Sequence, residues 1–286
     1  MAEQRKHEGV GRRSTSGSQG DTSGAPAETS TLGLLRLTGI SKRFGHVRAL
    51  DNVDFYLDQR EIHALVGDNG AGKSTLIKIM SGVLLPDSGT IEMDGKPVAF
   101  TSPHDAHDAG IETVYQDLAL ADPLDTAENI YLGREIVYAG LLGRLGFVDR
   151  PRMRAEAVRR LAELGVEVPS IRDPVENFSG GQRQAVAVAR AAVWGRRVLI
   201  MDEPVAALGH RQTTHVMDLL RRARDDKGIS VILISHNLPE VIRVADRVTV
   251  VRLGRRVLTR SARDLTQDQL VAAMTGSTPM SERGYA

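Results

Sequence analysis

Nine consecutive residues, Gly67-Asp68-Asn69-Gly70-Ala71-Gly72-Lys73-Ser74-Thr75, have the types and spacing of a phosphate-binding loop: glycine, four residues, glycine, lysine, then a hydroxyl residue. The glycines let backbone N–H groups close on a polyphosphate, and a helix N-terminus adds partial positive charge. Lys73 can reach the terminal phosphates, and the Ser74 hydroxyl can ligate Mg2+. A glycine-rich turn that fits by accident should arise in about one chain in a hundred of this length.

Two further stretches carry chemistry. Ser179-Gly180-Gly181-Gln182 has the form of a capping box opening the alanine-rich run Ala185 to Ala192, which puts two glycines at a helix N-terminus. Alone it is an ordinary cap; beside a phosphate loop it becomes specific. Val198-Leu199-Ile200-Met201 reads as a buried parallel strand that ends in the paired acids Asp202 and Glu203. Like charges repel at a buried strand end unless a cation or proton intervenes. Asp202 suits the holding of Mg2+, and Glu203 the orienting or deprotonation of an attacking water. A second apolar strand, Val231 to Ile234, leads to His236 on the same sheet edge, where it can touch a γ-phosphate.

These residues need a scaffold. Ile62 to Val66 predicts the strand before the loop, and Leu76, Ile77, Ile79 and Met80 a helix that Gly82 can end. Leu35–Leu37 and Val53–Leu57, with a turn at Phe44-Gly45-His46, predict an antiparallel layer, joined by a hairpin around Asp94-Gly95. Ile111 to Tyr115 reads as one more strand. Residues 117–178 read as mostly helical, with Met153, Ala157, Val158, Leu161 and Leu164 as an apolar stripe; the interspersed arginines fit a solvated face better than a lipid or nucleic-acid contact. His104 and His107 read as solvated surface rather than a metal site. Val248–Leu253 and Arg256–Leu258 predict a last hairpin at Gly254, followed by a helix over 266–274.

At 286 residues and 41% hydrophobic content the chain can bury a full core, and a formal charge of +1 gives no support for a nucleic-acid partner. The absence of cysteine excludes disulfides and thiolate chemistry. No apolar run is long enough to span a bilayer. Residues 1–33 hold 15 Gly, Ser or Thr and few large apolar groups, which predicts a disordered tail. Residues 277–286 read as a flexible C-terminus.

Over residues 34–276 the sequence resembles the ATP-binding subunits of ATP-binding cassette (ABC) transporters. In that family Gly67–Thr75 matches Walker A, Gln116 the Q-loop glutamine, Ser179–Gln182 the signature, Val198–Glu203 Walker B and His236 the switch histidine. The resemblance implies an α/β fold: a P-loop NTPase, RecA-like core with an antiparallel β layer and an inserted α-helical subdomain. It implies ATP and Mg2+ as ligands, with Gln116 joining Ser74 and Asp202 at the metal. Phe44 is placed to stack on adenine, with a strand-edge core role as the alternative. A head-to-tail dimer would sandwich ATP between the loop of one subunit and the signature of the other.

The stretches Ile40–Gly45, Gly110–Leu118 and Glu203–Gly209 are similar to those of monosaccharide importers of the ribose, xylose and fructose type. A single cassette resembles the shorter fructose-type subunits and implies a homodimer on the cytoplasmic face of a membrane permease, served by a solute-binding protein. Phe178 stands where leucine is commoner, and Gly209 where most ABC proteins carry the aspartate that links the two ATP sites. A non-transport ABC ATPase and a regulatory nucleotide-binding module are the competing readings; the intact Lys73, Asp202, Glu203 and His236 oppose the second.

Overall fold

The computed structural model describes residues 33–206 and 208–277, so the tail and the flexible C-terminus expected from sequence lie almost wholly outside the described residues. The chain runs through β1 (Leu35–Phe44), β2 (Val47–Leu57), β3 (Ile62–Val66), α1 (Lys73–Met80), β4 (Ser88–Met93), β5 (Lys96–Val98), α2 (Pro103–Asp108) and β6 (Ile111–Val114). Next come α3 (Thr126–Tyr131), α4 (Leu141–Arg144), α5 (Arg150–Leu164) and α6 (Gly180–Trp194). The last part alternates β7 (Val198–Asp202), α7 (His210–Asp225), β8 (Ser230–Ile234), α8 (Leu238–Val244), β9 (Arg247–Arg252), β10 (Arg255–Ser261) and α9 (Gln267–Thr275).

Two sheets form, an antiparallel one of order β2-β1-β4-β5 and a larger one of order β10-β9-β3-β8-β7-β6. In the larger sheet only β10 runs against its neighbour. The central strands β7 and β8 carry unbroken apolar runs because both faces are covered, and β3 is apolar but for the buried His63. Val198, Ile200, Ile232 and Ile234 face a core shared with α1 and the antiparallel sheet, whereas Leu199, Met201, Val231 and Leu233 face α6, α7 and α8. The β4–β5 hairpin turns through Asp94 and Gly95, both at positive φ as a two-residue turn of this hand requires.

The stretch after β6 is less helical than its composition suggests. Regular helix is confined to α3, α4 and α5, and the rest is loop tied by isolated bridges from Asp125 to Pro174 and Val137 to Val148. Met153, Ala157, Leu161 and Leu164 of α5 are buried as the spacing predicts, but Val158 is 50% exposed because it falls off the stripe that meets α3 and α6. Capping boxes at Ser102/Asp105 and Asp125/Glu128 start α2 and α3, so Asp105 is committed to backbone N–H groups. No described helix is long and apolar enough to cross a membrane.

Candidate active site

Parallel pairing aligns Val114 with Met201, Asp202 with Ile234, and Leu65 with Ile234. The C-terminal ends of β3, β6, β7 and β8 therefore share one edge, and Gly67, Gln116, Glu203 and His236 all follow within two residues of it. Ligands bind at this edge in open α/β sheets.

The loop between β3 and α1 is shaped by close backbone approach. A Cβ on Gly67 (φ +155°) would sit 2.1 Å from the Val251 carbonyl oxygen, and one on Gly72 (φ +108°) 2.6 Å from that of Ala49. Gly72 caps α1 without any side-chain hydrogen bond, so the first N–H groups of the helix receive none of the capping seen at α2, α3 and α6. Lys73 Nζ folds back to donate to the carbonyls of Gly67 at 2.6 Å and Asp68 at 3.0 Å. Burial pushes the Lys73 ammonium below the usual lysine range, an effect opposed by the nearby carboxylates of Glu203 and Asp202.

Asp202 is raised above the usual carboxylate range, first by burial and then by Glu203, with Lys73 pulling the other way. Glu203 follows in a left-handed conformation, φ 53°, with its N–H on the Ile234 carbonyl at 2.9 Å. That turn aims its carboxylate back at the edge, where His236 Nδ1 stands 2.7 Å from Oε2. The pair is close enough for an ion pair when the imidazole is protonated, but it is not aligned as a hydrogen bond, and Oε2 is left buried without a donor. His236 itself is 73% exposed at the side chain.

Ser74, Gln116 and Asp202 offer a hydroxyl, an amide oxygen and a carboxylate, an all-oxygen set suited to a hard divalent cation that keeps waters and phosphate oxygens as its other ligands. Asp202, partly buried beside the like charge of Glu203, fits such an ion. Among the described residues no cluster of three His, Cys, Asp or Glu gathers as a metal site; His104 and His107 stay on the surface beside Asp108. Phe44 is 47% exposed at the end of β1 with Lys42 Nζ 5.9 Å from its ring centre, so the core role is ruled out and the ring is open to stacking.

Ser179 caps α6 reciprocally with Gln182, as the spacing predicts. Gly181 and Gln182 line a groove of about 490 Å³ with residues 165–169 and α7, and no residue of 67–75 lines it. Sequence reasoning missed α7, although Val216, Met217, Leu220 and Ala223 are helically spaced. It also missed the bond from Tyr115 Oη to Ser81 Oγ at 2.7 Å, which ties the residue before Gln116 to the end of α1.

A family model described as ABC transporter matches residues 50–206. The fructose import ATP-binding protein of Rhizobium meliloti is 49% identical, over 85% of this chain and 94% of that protein. The xylose/arabinose import ATP-binding protein of Sulfolobus acidocaldarius is 42% identical over 85% and 94%. A ribose import ATP-binding protein of Rubrobacter xylanophilus is 45% identical, and the match covers 87% of this chain but 47% of that relative, about half its length. A solved component of an ABC transporter complex from Clostridium perfringens superposes with a TM-score of 0.69 at 26% identity, over 84% of this chain and 93% of that one. A nucleotide-free ATP-binding cassette from an ABC transporter shares the fold, with a TM-score of 0.72 at 24% identity over 87% and 97%. The chain therefore belongs to the ABC transporter family, among its ATP-binding proteins.

Proposed function

We propose that this chain is the ATP-hydrolysing subunit of an ABC importer for a monosaccharide. The convergence of Lys73, Asp202, Glu203 and His236 on one sheet edge carries the reading, and the names of the sugar-import relatives support the substrate class. ATP lies with its phosphates on residues 67–75 and its adenine against Phe44. Lys73 exchanges its carbonyl partners for phosphate oxygens. Glu203 accepts a proton from the attacking water, whose oxygen bonds to the γ-phosphorus as the bond to the bridging oxygen breaks, giving ADP and phosphate. His236 contacts the γ-phosphate. Mg2+ held by Ser74, Gln116 and Asp202 would neutralise charge on the phosphates.

The signature at Ser179–Gln182 serves the second nucleotide across a head-to-tail homodimer; Gly181 and Gln182 line a groove that no residue of 67–75 shares. The pair sits on the cytoplasmic face of a permease, with a solute-binding protein choosing the sugar. The test is size-exclusion chromatography of Glu203→Gln with ATP and Mg2+, beside an ATPase assay of the unaltered chain. A stable ATP-dependent dimer and turnover by the unaltered chain are expected; a monomer under both conditions, without turnover, overturns the reading.

A further inference from the structure

Helix α6 grips the Gln116 loop through two arginines. Arg190 donates from Nη1 to the Ala119 carbonyl at 2.8 Å and from Nη2 to the Leu118 carbonyl at 3.0 Å, a forked hold on successive residues. Seven residues earlier, Arg183 pairs with Asp122. Positions seven apart share a helix face and lie about 10 Å apart along the axis. Segment 118–122 spans at most about 14 Å and passes them in the opposite sense, so one short piece of chain is held at both ends by one face of α6.

The held piece is strained. Ala119 has φ 50°, a conformation that costs a non-glycine residue energy unless its surroundings fix it, and its own carbonyl is one of the two that Arg190 holds. On the other side of Gln116, Tyr115 is bonded to Ser81 at the end of α1. Gln116 is thus bracketed between a tie to the phosphate-loop helix and a tie to the helix that begins with the signature. From Ser179 to Arg190 that helix is a rigid rod of about 16 Å.

We propose that Arg190 is a positioning residue whose guanidinium couples Gln116 to the signature helix of the same chain, so that the placement of Gln116 and the pose of Ser179–Gln182 change together. The proposal rests on the reading in which Gln116 serves the cation and terminal phosphate. A guanidinium suits this hold because its planar fork satisfies two carbonyls at once with fixed geometry, which an ammonium cannot do.

The experiment is a double-mutant cycle on the purified full chain, reading kcat at saturating ATP, nucleotide affinity and the unfolding midpoint for Gln116→Ala, Arg190→Met, the pair, and Arg190→Lys. Each single change is expected to lower kcat about 10- to 100-fold, the scale of a misplaced catalytic group, with affinity within about threefold. The pair should lose no more than the worse single change, because Arg190 acts through Gln116. Arg190→Lys should recover part of kcat. Losses that multiply in the pair, or an Arg190→Met chain that unfolds earlier yet keeps kcat, overturn the proposal and leave Arg190 a structural staple. A silent Gln116→Ala overturns the role of Gln116 and this proposal with it, whereas a damaging Gln116→Ala with multiplied losses sinks this proposal alone. If Arg190→Met does not fold, Arg190→Lys with Gln116→Ala completes the same cycle.

Discussion

His236 Nδ1 and Glu203 Oε2 stand 2.7 Å apart at the ends of the neighbouring parallel strands β8 and β7. The imidazole is therefore placed against the same oxygen that lacks a hydrogen-bond donor. Replacing Glu203 by Gln keeps the shape and removes the base. Turnover should fall about 100-fold or more while ATP binding persists, measured by phosphate release and equilibrium binding; hydrolysis at the unaltered rate would remove Glu203 from its assigned role.

Lys73 donates two charge-assisted hydrogen bonds to loop carbonyls, and the same ammonium is the loop's one side-chain cation within reach of a phosphate. Lys73→Ala should weaken nucleotide binding about 100-fold, equivalent to roughly 2.7 kcal/mol, by isothermal titration with ATP. Unchanged affinity would show that the loop does not bind phosphate through this residue.

Gly67→Ala tests the backbone. The added methyl would lie 2.1 Å from the Val251 carbonyl oxygen at φ +155°, so the loop must move away from β9. Strain of this kind costs about 1–3 kcal/mol. A fall of about 5 °C in the thermal midpoint and loss of nucleotide binding are expected. A midpoint equal to that of the unaltered chain would mean that the loop has room the structure denies.

His63 lies on β3, fully buried, with Nε2 2.8 Å from the Thr249 hydroxyl and its ring 4.6 Å from that of Phe55. Burial, with Arg247 nearby, pushes its pKa down to about 3 from the ordinary 6.5. The unfolded chain takes up this proton near 6.5 while the folded one refuses it until about 3. Its stabilising contribution is therefore complete above pH 6.5 and is lost as pH falls toward 3, at about 1.4 kcal/mol per pH unit. Denaturant midpoints between pH 7 and 4 should fall faster for the unaltered chain than for His63→Asn, which has no such proton to bind. Parallel curves would mean that His63 does not set the slope; Asp202 and Glu61, whose pKa values are raised, oppose a loss of stability in acid and cannot be its source.

The sequence by itself determined whatever is governed by neighbours a few residues away. Glycine spacing marked the loop at 67–75, short apolar runs marked β3, β7 and β8, and the Ser179/Gln182 spacing marked the start of α6, because capping, pleating and loop closure are local. The tertiary structure decided what depends on residues far apart in the chain. The left-handed turn at Glu203 is held by the Ile234 carbonyl, Arg190 meets Leu118 across 72 positions, and His63 meets Thr249 across 186. Those contacts exist only once the sheet has ordered its strands and brought their ends to one edge, and no local periodicity encodes them.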